Sequence, residues 1–178
     1  MRVIRGKYRS RRFSPPKNFP SRPTTDYAKE SLFNILENRI EIEGLDVLDL
    51  FAGTGNISLE FLSRGAEAVT SIDQNYAAYK YMKTTQHELE EKGWTILKQD
   101  VFKMIKKIEV SYALIFADPP YGLKGVKGLP SAILENNLLK PDGDLIIEHG
   151  QETDFTNHPN FIEERKYGGV NFSFFNLA

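Results

Sequence analysis

The stretch Asp118-Pro119-Pro120-Tyr121 gathers groups that act on an amine. Paired prolines fix φ and contribute no backbone donor, so the turn leaves carbonyls free. The Pro119 carbonyl and the Asp118 carboxylate then converge on an NH₂ group, while Tyr121 offers a face on which a base stacks. An exocyclic amine is a poor nucleophile because its lone pair is delocalised into the ring. Two acceptors on its hydrogens raise electron density on nitrogen and favour the tetrahedral geometry that attack needs. What remains is alignment and a destination for the departing proton. Asp118, Pro119, Pro120 and Tyr121 are therefore the candidate catalytic set, with Asp118 orienting the amine and accepting its proton. A stacked base cannot enter such a slot and must be flipped out or unpaired. The chain has no cysteine, which excludes disulfides, thiolate metal sites and the thiol adduct of pyrimidine carbon-5 methylation.

A second constellation is suited to a cofactor. The apolar run Asp46–Phe51 ends in Asp49-Leu50-Phe51-Ala52-Gly53-Thr54-Gly55, and Asp73 closes the next apolar run. Gly53 and Gly55 let the backbone turn tightly and approach a ligand. A carboxylate at Asp73 can accept both hydroxyls of a ribose. A nicotinamide dinucleotide competes for the same pattern, but its fingerprint wants a third glycine where Ser58 stands. An acid at Asp49 would repel a pyrophosphate and tolerate a cationic ligand. The ammonium and sulfonium of S-adenosyl-L-methionine meet that description, so this is the expected cofactor. Asp49, Phe51, Ala52, Gly53, Thr54, Gly55, Asp73, Gln74, Asp100 and Val101 form its expected site. Asp100 either accepts from the adenine amine or caps the helix beginning at Val101, and the two roles are compatible. His87, His149 and His158 are scattered and make no metal-ligand set.

These loops need elements to hold them. Spacing of apolar residues predicts helices over Asp26–Arg39, Ser58–Arg64, Tyr76–Lys92, Val101–Lys107 and Leu129–Leu139. Thr24 or Thr25 stands where it can cap the first, Gly65 ends the second, and Gly93 closes the third. Strands are expected at Asp46–Phe51, Ala68–Ile72, Trp94–Lys98, Tyr112–Ala117 and Asp144–Glu148, and at Phe161–Tyr167 and Val170–Phe175 around a Gly168-Gly169 turn. Alternating strands and helices imply a doubly wound α/β domain. Its mostly parallel, seven-stranded, Rossmann-like sheet carries an antiparallel edge hairpin. Ligands in such sheets sit beyond the carboxyl ends of the strands, where the strand order reverses.

Charge divides the 178 residues. Eight of the 23 basic residues lie in residues 1–25, which hold no acid; the other 15 face all 24 acids, so residues 26–178 carry −9. Residues 1–25 are read as a basic arm and residues 26–178 as the catalytic domain. Arg2, Arg5, Lys7, Arg9, Arg11, Arg12 and Arg22 are the candidate phosphate contacts. Val3, Ile4, Tyr8 and Phe13, with Gly6-Lys7 as a turn, give the arm the pattern of a small hairpin. Arg11-Arg12 is followed by Ser14-Pro15-Pro16-Lys17 where a signal would need an apolar region. No apolar stretch approaches the roughly 20 residues of a spanning helix. A soluble, cytoplasmic monomer without membrane or metal is expected.

Together these stretches resemble the RsmD-like family of bacterial small-subunit rRNA guanine-N2 methyltransferases. The resemblance runs from Met1–Arg9 and Arg11-Arg12 through Arg22–Asp26, Leu32–Leu36, Asp49–Gly55 and Asp118–Tyr121 to Leu145–Glu148. It implies methylation of guanine N2 in 16S rRNA, free or in the assembling small subunit, with the arm gripping RNA. It also implies that Thr24 and Asn34 touch the methionine end of the cofactor; Glu148 is read as a strand end without a role. The chain departs from the family at Tyr27, where a basic residue is common, and in the short glycine-rich loop 122–128. Adenine-N6 or protein-amide methylation is an alternative, since it uses similar acceptor loops. A noncatalytic RNA-binding module is a third reading, which the intact acceptor and cofactor residues oppose.

Overall fold

The computed structural model describes residues 1–17, 19 and 24–177. The chain runs α1 (Asp26–Glu37), β1 (Asp46–Leu50), α2 (Asn56–Ser63), β2 (Ala68–Asp73), α3 (Tyr76–Leu89), β3 (Trp94–Lys98), α4 (Val101–Ile105), β4 (Tyr112–Ala117), α5 (Leu129–Glu135), β5 (Leu139–His149), β6 (Phe161–Tyr167) and β7 (Val170–Phe175). The seven strands form one sheet in the order β3-β2-β1-β4-β5-β7-β6. The five from β3 to β5 are parallel, and β7 and β6 continue the sheet antiparallel. The expected doubly wound architecture and edge hairpin are both present. Strand order reverses between β1 and β4, so a crevice opens there beyond their carboxyl ends.

Local chemistry explains the elements and the shifted boundaries. Thr25, in extended backbone, caps α1 by accepting from the Ala28 N–H at 3.2 Å, and Asp26 adds negative charge to the first turn. Gly65 follows α2 with φ +100°, as a helix-terminating glycine should. Helix α3 stops earlier than expected. Glu90, not Gly93, adopts the left-handed conformation at φ 51°, and the Glu91 N–H bonds back to the Gln86 carbonyl. Gly93 serves packing instead, because a Cβ there would lie 2.7 Å from the Glu67 carbonyl oxygen. Strand β5 begins five residues early: Leu139 pairs with Tyr112, and the Pro141-Asp142-Gly143 stretch, which reads as a turn, is absorbed into an irregularity of the ladder. Helices α4 and α5 are shorter than their apolar patterns suggest.

The sheet buries a core on each face. Helices α1, α2 and α3 cover one face through Leu32, Phe33, Phe61, Met82 and neighbours; α4 and α5 cover the other through Val101, Ile105, Leu129 and Ile133. Every residue of α2 is buried, because the N-terminal segment lies over it. That segment is a small hairpin. Arg2 bridges Arg12, Val3 exchanges backbone bonds with Arg11 and Ser10, and Gly6 turns at φ +88°. Glu60, within α2, accepts the Ile4 and Arg5 backbone N–H groups at 2.9 and 3.0 Å. Ser63 accepts Lys7 N–H through its carbonyl and Tyr8 N–H through its hydroxyl. Lys29, with no exposed side-chain surface, lies 3.3 Å from Glu60 and donates to Asn56 and to the Arg2 carbonyl. Burial lowers the Lys29 pKa, and Glu60 pushes it back up.

Glu60 thus holds two backbone donors and two cations, Lys29 and Arg64. Glu60→Leu leaves all of them short of an acceptor. The expected cost is about 3–5 kcal/mol, a fall in melting temperature on the order of 10 °C. Thermal denaturation checks it; a fall of a degree or two would mean that the hairpin is held by apolar contact alone.

Candidate active site

A cavity of about 770 Å³ opens beyond the carboxyl ends of the parallel strands. Its floor is the turn after β1, where Phe51, Gly53 and Gly55 all take positive φ. Gly53 lines the cavity, and its N–H donates to Asp73 Oδ2 at 2.8 Å. The Asn75 N–H reaches Asp73 Oδ1 at 2.8 Å, and Asn75 caps α3 through the Ala77 and Ala78 N–H groups. Each Asp73 oxygen therefore keeps a lone pair for a diol. Asp100 caps α4 through the Lys103 N–H at 2.9 Å on Oδ1, and its second oxygen stays available at the cavity wall. Phe51 and Phe102 meet edge to face at 6.2 Å and line the space between the Asp73 and Asp100 loops.

Gly55 does not line the cavity. A Cβ there would lie 2.6 Å from the Trp94 ring and 2.9 Å from Met82, so this glycine makes room for the core behind the loop. Asp49 is 1% exposed. It accepts from both the backbone N–H and the hydroxyl of Ser58. The Ser58 hydroxyl lies 2.6 Å from that of Ser71, which accepts from the Trp94 indole at 2.7 Å. Burial raises the Asp49 pKa to about 7, while the bonds from Ser58 pull it back down.

The acceptor turn follows β4. The Asp118 N–H donates to the Leu50 carbonyl, which ties this turn to the end of β1. Asp118, Pro119, Pro120 and Tyr121 line the same cavity as Asp73 and Asp100. Tyr121 is 69% exposed at the rim, and burial raises the pKa of the half-buried Asp118 carboxyl. Of the expected cofactor residues, Thr24, Asp49, Phe51, Ala52, Gly53, Thr54, Asp73, Gln74, Asp100 and Val101 all border this space.

Asn34 does not. It is exposed on α1, where its carbonyl accepts from the Asn38 side chain at 2.8 Å. Eight residues of helix past Asp26 carry it about 12 Å along the axis, away from the cavity end. Asn56 is the asparagine at the cavity: its side chain donates to the Thr24 carbonyl at 3.2 Å. Sequence reading also passed over Glu148. This buried acid lies near the end of an apolar strand at the same sheet edge as Asp49 and Asp73, and that shared pattern is the signal that could have found it.

The basic hairpin is less free than its charge count suggests. Arg2 pairs with Asp26 at 3.3 Å, Arg5 with Glu37 at 2.7 Å and Lys7 with Glu91 at 2.7 Å. Arg9, Arg11 and Arg12 are exposed and make no ion pair among the described residues. Arg22 lies outside the described residues.

Known proteins share this arrangement. A family model described as Conserved hypothetical protein 95 matches residues 1–176. YlbH of Bacillus subtilis (strain 168) is 35% identical over 86% of this chain and 85% of its own length. Ribosomal RNA small subunit methyltransferase D of Escherichia coli (strain K12) is 30% identical over 86% of this chain and 78% of its own. The solved structure of yhhF from Escherichia coli superposes with a TM-score of 0.85 at 25% identity, covering 98% of this chain and 96% of that one. This chain therefore belongs to the Conserved hypothetical protein 95 family, the family of ribosomal RNA small subunit methyltransferase D.

Proposed function

We propose that this chain is an S-adenosylmethionine-dependent methyltransferase acting on the exocyclic N2 amine of a guanine in small-subunit rRNA. One observation carries the reading: a single cavity joins the Asp73 and Asp100 loops to the Asp118–Tyr121 turn, so a cofactor and a base amine would share one space. The membership of ribosomal RNA small subunit methyltransferase D in the same family supports the rRNA substrate.

The residues fit the cofactor. Asp73 offers two oxygens already oriented by backbone donors, and Asp100 offers one. Phe51, Val101 and Phe102 provide apolar walls for a purine, and Thr24, Asp49 and Asn56 add polar groups to the lining. S-adenosylmethionine, when bound, supplies an electrophilic methyl group on a sulfonium. The protein's part is alignment. Asp118 and the Pro119 carbonyl take the two amine hydrogens, Tyr121 stacks on the base, and the Asp118 carboxylate receives the proton released from nitrogen. The hairpin's exposed Arg9, Arg11 and Arg12 would meet the RNA backbone.

Mapping modified nucleosides in rRNA from cells lacking this protein tests the substrate. Loss of N2-methylguanosine is expected, and loss of N6-methyladenosine would redirect the reading to adenine. Asp118→Ala should lower kcat by roughly 10²- to 10⁴-fold with cofactor affinity by calorimetry unchanged; retained turnover would remove Asp118 from the chemistry. Asp73→Ala should weaken the cofactor by roughly ten- to a hundredfold with little change in RNA affinity, measured by the same titration. Deleting the hairpin would expose the core around Val3, so substitution is the sharper probe of RNA contact. Arg9, Arg11 and Arg12 changed together to Ala should flatten the log–log salt dependence of RNA binding by about 2; an unaltered slope would assign the contact to another surface.

A further inference from the structure

Glu148 plays no part in the chemistry described so far, yet its placement is specific. It is the penultimate residue of β5, beside the point where Asp118 leaves β4. Phe116 pairs with Ile146 and Ala117 with Ile147 in parallel register. The next step along both strands sets Asp118 and Glu148 next to each other, facing the same side of the sheet. Glu148 is 5% exposed, and its Oε2 is fully buried without a hydrogen-bond partner.

The surrounding groups leave its charge uncompensated. From the turn after β4, Asp118 repels it, and Tyr121 feels the charge of both carboxylates and of Glu152. Among the described residues of the segment before α1, only the Thr24 hydroxyl favours its charged form. Its β7 partner is Phe172. His149, one residue on, is bonded to Ser173 and to the Gly150 carbonyl, and pairs with Glu164 rather than Glu148. Among the described residues no cation offsets either carboxylate. Two adjacent carboxyl groups, one of them buried, cannot both ionise at low cost, so one keeps a proton. An unpartnered carboxyl oxygen sealed from water is the better place for it, because protonation there removes a buried charge.

We propose that Glu148 is a positioning residue for Asp118: the two side chains share one proton, held on Glu148, which leaves Asp118 as the anionic member facing the amine. The consequence for turnover rests on the methyltransferase reading above; the shared proton does not. During reaction the proton leaving the amine passes to the Asp118 carboxylate. The pair then holds two protons and no charge, and Asp118, the more exposed member, returns one to water.

Carboxyl carbon-13 NMR titration of the full chain tests the pair directly, with Glu148→Gln and Glu148→Leu as variants. In the wild type, Asp118 and Glu148 should each show two inflections in common, the mark of coupled sites. Glu148→Gln preserves shape and a donor, and should leave Asp118 with one inflection. A single Asp118 inflection, the same in both proteins, overturns the proposal. In methyl transfer, Glu148→Gln should retain turnover but lose one ionisation from its pH–kcat profile. Glu148→Leu should lower kcat by about a hundredfold at unchanged cofactor KM, and wild-type kcat in that variant would also overturn it. Coupled titration in a protein that transfers no methyl group to guanine would overturn the reaction assignment and leave the pair standing.

Discussion

Parallel strands cannot be joined by tight turns, and this restriction organises the whole molecule. Every β-to-β connection from β1 to β5 must cross over through a helix, so each strand delivers its following loop to the same edge of the sheet. Asp49, Asp73, Asp100, Asp118 and Glu148 reach that edge from five different strands, across some 100 residues of chain. A concentration of acids follows from the topology. Their environments then separate them: Asp73 and Asp100 are fixed by backbone donors, Asp49 by the N–H and hydroxyl of Ser58, and Glu148 keeps a buried oxygen without a partner.

The opposite charge is handled by the N-terminal hairpin, and much of it is turned inward. Glu60 and Glu91 are acids of the body that bind hairpin groups, and the Lys29 ammonium reaches back to the hairpin's own backbone. Removing one partner from such a buried set costs several kcal/mol, whereas the exposed pairs of Arg2 and Arg5 contribute little. The basic segment is thus integral to the fold. Only part of its charge is presented outward.

The sheet was largely legible in the sequence because buried parallel strands are short apolar runs bounded by turn residues, and β3, β4, β6 and β7 stand where those runs place them. Helix ends were less legible, since tertiary contact decides them. Gly93 looks like a helix stop, yet the Glu67 carbonyl packed against it is what demands a glycine, and Glu90 takes the left-handed turn. At the candidate site, motif residues adjacent in sequence were readable because one loop carries them. Asn34 and Asn56 show the limit: which asparagine reaches the cavity depends on how α1 lies over the sheet, and no local pattern encodes that. Glu148 was legible as a strand end, but its neighbour Asp118 lies thirty residues earlier, and only strand register brings the two together.

The docking of the hairpin on α2 also sets the thermodynamic character of whatever binds there. A disordered basic tail must lose backbone freedom when it grips a partner, and that loss is subtracted from affinity. Here the backbone of residues 4–8 is already fixed to a helix whose residues are all buried. The spacing of Arg9, Arg11 and Arg12 is therefore part of the folded state, and any partner of the hairpin would meet a preformed template rather than a chain it must first order.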